Sequence, residues 1–392
     1  MSEPLKRRPF GMASVDEIRA GKVTDVYFEY ARQILDAKKI KSQVALEAHA
    51  KGFPQGGWGI FCGLDSVLEL LEGLPLDLWA LPEGTLFQAR EPVLVIRVKY
   101  EEISTYQTAL LGFLCQASGI ATKASRCAIA AQGRPVYSFG ARRMHPAVAP
   151  MIERAAFIGG CAGVASMSAA DHLEIEPVGT IPHGLVLILG DSASAMLAFD
   201  EVIDKRVHRV AIVDTFGDEK FEALENAELL DSTIYAVRLE TPSSRRGDML
   251  QIAREVRWEL DIHGYEDVKI LISGGIDEDL IPPLNEVADE YGVDTPISNA
   301  PVIDFSLGIV EVDGDPIAKR GMESGAKQLY ICEKCEKRFV VLFSKKMKSC
   351  PDCKEKVKPM LAQFMEQGRL LRKVPTPQEI RKFVLSQLPK TL

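Results

Sequence analysis

The chain has 392 residues, of which 46% are hydrophobic and 26% are charged, and it carries a formal net charge of −8 at pH 7. This length predicts two or three domains, because a single hydrophobic core rarely grows beyond about 250–300 residues. No apolar run reaches eighteen residues and no apolar segment follows Lys6, Arg7 and Arg8, which argues against a membrane span and a secretory leader. We therefore expect a cytoplasmic globular protein with no membrane partner.

Up to residue 130 the sequence pattern mixes helices and strands. The predicted elements are a helix over 24–37, a strand over 42–48, a helix over 65–74, a buried strand over 92–98 and apolar helices over 106–131. This mixture is typical of an α+β domain, which we place at residues 1–130. The C-terminal tail, residues 359–392, is a candidate to pack on the same domain.

From residue 131 to residue 318, short apolar strands alternate with helical patterns. The predicted strands are 136–139, 186–189, 209–213, 234–239 and 269–272, and the predicted helices are 193–203, 221–229, 247–260 and 281–291. This alternation predicts βα units around a parallel sheet, which can be open or closed into a barrel. Asp214, Glu240 and Ser273 each follow a strand directly, where barrel enzymes assemble their active sites. We therefore favour an α/β fold with an irregular α/β barrel as the catalytic domain at 131–318.

Four cysteines near the C-terminus form two pairs with metal-ligand spacing. They are Cys332, Cys335, Cys350 and Cys353, with two residues inside each pair and fourteen between the pairs. Two such pairs can deliver four thiolates tetrahedrally to Zn²⁺, and because no position is left open the metal should be structural. We place a zinc-ribbon domain at residues 319–358.

The predicted ribbon is basic, whereas the rest of the chain is acidic. Residues 319–358 contain twelve Lys or Arg residues against five acidic residues, a local excess of +7, so the remaining residues carry −15. A basic domain of this kind could contact nucleic acid, but it could equally dock on the acidic body or on an identical partner. Nucleic acid is the interpretation that we favour less.

Two segments in the predicted barrel point to an anion site beside a reactive histidine. Arg142 and Arg143 follow the strand 136–139, and because neighbouring extended residues face opposite sides, one can point into a pocket while the other braces it. His183 lies between Pro182 and Gly184 in a turn before an apolar run.

Two glycine turns add backbone N–H groups that suit a phosphate. Ser273-Gly274-Gly275 follows the strand 269–272, and Gly292-Val293-Asp294-Thr295 comes about twenty residues later. Barrel proteins often hold phosphate on the loops after their last two strands. Each turn alone is a weak signal, because glycine pairs commonly serve only to turn the chain.

These segments, in this order, resemble the nicotinate phosphoribosyltransferase family. The matching segments are Thr24-Asp25-Val26-Tyr27, Phe139 to Arg143, Gly179 to His183, Val213-Asp214-Thr215, Val237-Arg238-Leu239, Ser273-Gly274-Gly275 and Gly292 to Thr295. The resemblance covers roughly residues 10–320, and the appended zinc ribbon resembles the compact prokaryotic members.

The resemblance implies a type II phosphoribosyltransferase with an active site completed across a homodimer or a higher homo-oligomer. Its reaction joins nicotinate to 5-phosphoribosyl 1-diphosphate in NAD salvage, giving nicotinate mononucleotide and pyrophosphate. The resemblance further implies coupling to ATP hydrolysis through a phosphohistidine, with ATP as co-substrate, and His183 occupies that catalytic position.

The resemblance also assigns the remaining site residues. Nicotinate would be held by Tyr27, Phe139, Thr180 and Arg238. The phosphoribosyl diphosphate, with Mg²⁺, would be held by Arg142, Arg143, Asp214, Glu240, Ser273, Gly274, Gly275, Gly292, Asp294 and Thr295. Which of the two adjacent arginines contacts substrate stays open, and Glu240 and Asp294 depart from the family pattern, which has an aspartate and a glycine there.

Three alternatives stay open at this point. Quinolinate phosphoribosyltransferase shares the architecture but decarboxylates a dicarboxylate and uses no ATP. A nicotinamide phosphoribosyltransferase is a second alternative, although Arg238 suits a carboxylate better than an amide. The third is a nucleic-acid or protein adaptor whose zinc ribbon is the binding module.

Overall fold

The structure is a computed structural model that describes residues 9–245 and 247–392. The basic residues Lys6, Arg7, Arg8 and Arg246 lie outside the described residues. The chain divides into two compact units, one comprising the described residues up to 121 with 301–387, the other 122–300 with 388–392. Among the described residues, no helix combines the length and the apolarity that a membrane span requires. The boundaries predicted at residues 130, 318 and 358 stay predictions.

The α-helices are numbered here in chain order. They are α1 (Val15–Arg19), α2 (Val26–Lys38), α3 (Leu64–Leu71), α4 (Tyr100–Ile103), α5 (Gln107–Ala130), α6 (Ala149–Ile158), α7 (Met167–Leu173), α8 (His183–Leu189), α9 (Ser192–Val202), α10 (Glu219–Leu230), α11 (Met249–Ile262), α12 (Ile281–Leu284), α13 (Thr295–Ser298) and α14 (Pro377–Gln387).

The strands are numbered in the same way. They are β1 (Gln43–Ala50), β2 (Trp58–Ile60), β3 (Asp77–Ala80), β4 (Leu86–Gln88), β5 (Pro92–Lys99), β6 (Val136–Ser138), β7 (Gly163–Val164), β8 (Arg209–Ile212), β9 (Ile234–Leu239), β10 (Lys269–Ser273), β11 (Glu290–Val293), β12 (Phe305–Val312), β13 (Asp315–Pro316), β14 (Lys327–Cys332), β15 (Arg338–Leu342), β16 (Val357–Pro359), β17 (Ala362–Glu366) and β18 (Arg369–Leu370).

In the described part of the first unit, seven strands form an antiparallel sheet in the order β13-β12-β1-β5-β3-β17-β18. The central strands β1 and β5 are long and almost entirely buried. β5 carries a continuous apolar run over 92–96, whereas β1 alternates apolar residues with Glu47 and His49 in its second half. Leu46 of β1 pairs with Ile96 of β5 and with Ile309 of β12, which fixes the register of the centre. The same core includes the apolar face of α3.

The predicted ribbon forms a small sheet of its own in the order β15-β14-β16, as far as the described residues show. Lys327 at the start of β14 reaches the buried carboxylate of Glu47 on β1, with Nζ 3.0 Å from Oε1. The backbone N–H of Lys327 donates to the other oxygen of Glu47 at 2.9 Å. The Glu47 carboxylate therefore binds both the main chain and the side chain of Lys327, on the strand that ends at Cys332.

The second unit is built on a parallel sheet that, within the described residues, has six strands in the order β7-β6-β11-β10-β9-β8. Each neighbouring pair is parallel, so the carboxyl ends of all these strands lie at one edge. The predicted α/β class with a barrel-like parallel sheet is confirmed, and the sheet forms a half-barrel.

Two predicted elements of this unit are wrong. The segment 186–189, predicted as a strand, belongs to α8, which ends at Gly190 with φ 103°. A short apolar run does not distinguish a strand from a helix, and here Asp191 starts another helix directly afterwards. The predicted helix 281–291 is helical only over α12, and its last two residues instead begin β11.

The Glu47–Lys327 pair makes a testable prediction about stability. Lys327→Met leaves a buried carboxylate without its cation, so we expect it to lower the free energy of unfolding by about 3–5 kcal/mol at neutral pH. Lys334→Met is the matched control, because Lys334 pairs with Glu355 at an exposed site, and it should change the free energy by less than about 0.5 kcal/mol.

The pH dependence gives this prediction its sign. Burial raises the pKa of Glu47, and the charge of Lys327 opposes that rise, so removing Lys327 raises the pKa further. The loss of unfolding free energy in Lys327→Met should therefore be largest above this raised pKa. It should shrink as the pH falls to about 4, where the Glu47 carboxyl is mostly protonated in both the folded and the unfolded state. Urea titrations between pH 4 and 8 measure this, and a penalty independent of pH would contradict the explanation.

Candidate active site

The register of the parallel sheet places one set of side chains on its inner face. Arg238 of β9 pairs with Ile212 of β8 and with Leu271 of β10. Ser273 at the end of β10 pairs with Gly292 of β11. Because paired residues of neighbouring strands point to the same side, these positions share one face of the sheet. Those nearest the carboxyl ends of the strands line a cavity of about 360 Å³; they are Ile212, Arg238, Ser273 and Gly292.

Arg238 is the best-held side chain in this cavity. Its Nε donates to Ser273 Oγ at 2.9 Å, its Nη1 donates to Thr180 Oγ1 at 2.8 Å, and its Nη2 lies 2.5 Å from Glu240 Oε2. Burial lowers the pKa of Arg238, the charge of Glu240 opposes that effect, and the charge of Arg142 adds to the lowering. The guanidinium is thus a fixed positive group at the floor of the cavity.

Phe139 provides a flat wall beside this guanidinium. The Arg238 Cζ lies 5.1 Å from the centroid of the Phe139 ring, within the range of a cation–π contact. The ring packs directly on Gly292, where a Cβ atom would lie 2.4 Å from Phe139 Cε2. Glycine is therefore required at position 292 for the ring to take this place. An aromatic face next to a guanidinium suits a planar anion.

His183 also lines this cavity, and Asp214 lies beside it. His183 begins α8, and its Nδ1 is 2.9 Å from Thr215 Oγ1 while its Nε2 is 3.8 Å from Asp214 Oδ1. The backbone N–H of Glu240 donates to Asp214 Oδ2 at 3.1 Å, whereas Oδ1 is buried without a hydrogen-bond partner in the described residues. Burial raises the pKa of Asp214, and the charge of His183 opposes that rise. Asp214 is thus a buried carboxylate beside His183.

The turn after β6 presents the two adjacent arginines differently. Arg143 Nη2 lies 3.1 Å from Asp294 Oδ2, so this guanidinium braces the turn after β11. Arg142 has no carboxylate within 4.0 Å among residues 9–245 and 247–392, and it lines the cavity. The structure therefore shows different contacts for Arg142 and Arg143, which the sequence alone could not predict.

A wider, open cavity of about 780 Å³ adjoins this one at the same edge of the sheet. Both cavities are lined by Arg142, His183, Asp294 and Gly274. Gly274 and Gly275 have φ of 83° and 73°, the left-handed region that favours glycine. A turn of this kind exposes backbone N–H groups, which suits a phosphate at this position.

Most of the predicted site residues therefore lie around these two cavities. Those that line them are Phe139, Arg142, Arg143, Thr180, His183, Asp214, Arg238, Glu240, Ser273, Gly274, Gly275, Gly292, Asp294 and Thr295. Tyr27 lies on α2 of the first unit and is 59% exposed, so its role stays a prediction. Sequence reasoning missed the contact of Thr215 with His183, although the Val213-Asp214-Thr215 segment had been singled out.

The four paired cysteines form a second candidate site in the first unit. Their Sγ atoms all lie within 4.8 Å of one another, with Cys332–Cys353 at 3.4 Å and Cys335–Cys350 at 3.7 Å. A tetrahedral Zn²⁺ with bonds of about 2.3 Å places its sulfurs about 3.8 Å apart, so the cluster fits zinc. The clustering is shown, and the metal stays a prediction.

The fold and the cavities together define a class of protein, the α/β half-barrels with cavities lined by basic side chains at the carboxyl ends of their strands. The family model described as quinolinate phosphoribosyl transferase, N-terminal domain, matches residues 25–118, and the C-terminal domain model matches residues 120–308. Together the two matches cover more than half of the chain. The chain belongs to the quinolinate phosphoribosyl transferase family.

Solved structures agree with this assignment. The nicotinate-nucleotide pyrophosphorylase from Pyrococcus furiosus is 50% identical, covers 98% of this chain and 99% of its own, and superposes with a TM-score of 0.95. Human nicotinic acid phosphoribosyltransferase is 18% identical, covers 94% of both chains and has a TM-score of 0.78, a likeness of fold alone.

Curated relatives are more distant. A nicotinate phosphoribosyltransferase of Mycobacterium tuberculosis is 31% identical over 281 residues, which is 68% of this chain and 59% of the relative. A nicotinate phosphoribosyltransferase of Bacillus subtilis is 29% identical over 298 residues, which is 66% of this chain and 60% of the relative. The chain thus spans about three fifths of the length of the curated relatives it matches.

These findings correct the expectation drawn from the sequence motifs. The assignment to the nicotinate phosphoribosyltransferase family is wrong, because the family models and the 50% identical structure place the chain with quinolinate phosphoribosyl transferases. The predicted ATP-coupled nicotinate phosphoribosyltransferase activity is wrong for the same reason. The alternative of a quinolinate phosphoribosyltransferase is the better supported.

The cysteine cluster predicts a measurable metal content. Protein purified without chelator should contain about one zinc per chain by elemental analysis, and Cys353→Ser, which removes one of four ligands, should fall well below that. Cys115→Ala is the matched control, because Cys115 is partly buried outside the cluster, and it should keep the metal. Equal zinc content in the wild type and in Cys353→Ser would contradict the assignment.

Proposed function

We propose that the chain transfers the phosphoribosyl group of 5-phosphoribosyl 1-diphosphate to quinolinate, giving nicotinate mononucleotide, pyrophosphate and carbon dioxide in NAD biosynthesis. The family membership supports the class of reaction. One observation carries the choice of a dicarboxylate: Arg142, a guanidinium with no carboxylate partner in the described residues, lines the same cavity as Arg238.

The cavity matches the shape and charge of quinolinate. This compound is a planar ring with two adjacent carboxylates, so it needs one flat wall and two cations. Phe139 supplies the wall, Arg238 supplies one cation and Arg142 supplies the other. Guanidiniums bind carboxylates through two parallel hydrogen bonds, which suits a ligand held in one plane.

The wider cavity suits the phosphoribosyl diphosphate. The turns at Gly274 and Thr295 would hold the 5′-phosphate, and His183 would donate a hydrogen bond to the departing diphosphate. Asp214 and Glu240, which line the same cavity, would hold a Mg²⁺ ion through their carboxylates, and the ion would neutralise charge on the diphosphate when bound. We also propose that the chain forms a homodimer, in which a second copy contributes its Tyr27 to this site.

The residues fit the bond changes of this reaction. The ring nitrogen has a free electron pair and attacks C1 of the ribose while the C1–O bond to the diphosphate breaks, so no base is required. The C2–carboxylate bond then breaks, its electron pair stays on C2 beside the positive nitrogen, and C2 takes a proton from solvent. The protein therefore acts mainly by positioning reactants and by stabilising the departing anion.

A product assay tests this function. The protein with 5-phosphoribosyl 1-diphosphate and Mg²⁺ should form nicotinate mononucleotide from quinolinate, at a rate that ATP does not change. Nicotinate and nicotinamide, offered separately with and without ATP, serve as controls and should give little product. Product from nicotinate but not from quinolinate, or a rate that rises with ATP, would overturn the proposal.

The role of Arg142 has its own test. Arg142→Gln removes the second cation, so we expect the KM for quinolinate to rise about tenfold or more, in line with the loss of a charged hydrogen bond. The KM for 5-phosphoribosyl 1-diphosphate should change less than about twofold. Arg254→Gln is the matched control, since Arg254 pairs with Glu286 on the exposed side of α11 and should leave both constants unchanged. The opposite pattern would assign Arg142 to the diphosphate.

A further inference from the structure

The half-barrel contains a third cavity, of about 300 Å³, towards the amino ends of its strands. Leu271 and Glu290 form its base, and these two residues are paired in register across β10 and β11. Tyr137 of β6 and Val210 of β8 line the same space from either side. These four residues lie outside the site proposed for catalysis, which is at the other ends of the strands, although the segment 178–180 lines both cavities.

Glu290 is a buried carboxylate that lacks a cation. Its residue is only 5% exposed, and no Lys or Arg nitrogen lies within 4.0 Å of it in the part of the chain that the structure describes. It accepts a hydrogen bond from the hydroxyl of Tyr235. A buried charge is costly unless it is paired, so neutral donors alone leave this carboxylate incompletely compensated.

Aromatic rings surround this carboxylate. A β-bulge at the start of β9 leaves Tyr235 without a partner on β8, because the pairing moves from Arg209–Ile234 to Val210–Ala236. The ring of His208 stacks on Tyr235 at 3.8 Å between centroids. Burial raises the pKa of Tyr137 to about 12, and the charge of Glu290 adds to the rise. The bulge thus aims a phenol into the cavity, as bulges near functional sites do.

The mouth of the cavity adds no free positive charge. Arg206 is held by Asp204 through two contacts, Nε to Oδ1 at 3.1 Å and Nη2 to Oδ2 at 3.0 Å. Glu176 lies at the same opening, so the lining carries a net negative charge. A negatively charged cavity with low-dielectric walls attracts cations.

We propose that the amino-end cavity is a second binding site, for a small planar aromatic cation, with Glu290 as its counter-charge. The volume accommodates one ring with a short substituent, and the phenol and imidazole faces provide stacking and cation–π contacts. An amidinium or aminopyridinium group would donate to the Glu290 carboxylate in the way that guanidinium groups do. This site does not depend on the function proposed above.

Benzamidine is the probe, and benzamide is its neutral counterpart of nearly the same shape. With the full chain, titration calorimetry should detect one benzamidine per chain at roughly millimolar concentrations, and benzamide should bind at least about tenfold more weakly. Equal binding of the two compounds, or no binding of benzamidine, would overturn the proposal.

Variants locate the binding. Glu290→Gln keeps the shape and removes the charge, so benzamidine should bind about tenfold or more weakly. Glu286→Gln, at the exposed pair with Arg254, is the matched control and should change the affinity less than about twofold. Tyr235→Phe removes one of the hydrogen-bond donors to Glu290 and should bind benzamidine at least as tightly as the wild type, which tests the proposal independently if Glu290→Gln fails to fold. Unchanged affinity in Glu290→Gln, or lost affinity in Tyr235→Phe, would exclude the assigned role.

Discussion

The candidate active site depends on how the buried guanidinium of Arg238 is held. Its three contacts come from different parts of the chain: Thr180 from a loop, Ser273 from the end of β10 and Glu240 from the end of β9. A buried arginine is stable only where its donors are satisfied, so these acceptors must occupy their places together. The positions of Phe139 and Gly292 follow, because the ring lies between the guanidinium and the strand beneath it.

The charges around this arginine balance one another. Glu240 faces Arg238, Asp294 faces Arg143 and Asp214 faces His183, whereas Arg142 has no carboxylate partner in the part of the chain that the structure describes. The pairs keep the cationic side chains oriented at low cost, since each charge already has a counterpart. A bound anion then meets a site that does not have to reorganise, which is the condition for strong electrostatic stabilisation.

The sequence predicted much of this arrangement, for identifiable reasons. Apolar strands followed by polar residues located the strand ends, because parallel strands bring their carboxyl ends to one edge. The strand predicted at 186–189 failed because four apolar residues fit either periodicity, and only the packing of the whole unit decides. The motifs located the glycine turns that line the two cavities but not the family, which the family models decide. They also could not tell Arg142 from Arg143, because adjacency in the sequence does not determine which guanidinium meets a carboxylate.

The segment 178–180 lines both the cavity of the candidate active site and the amino-end cavity. Thr180 is therefore a shared wall, and its hydroxyl is also one of the acceptors that orient Arg238. Thermodynamic linkage makes any coupling through such a wall reciprocal: a compound that shifts Thr180 from one side alters affinity on the other by a single common factor. Ligands of the two proposed sites would therefore influence each other across the thickness of one loop.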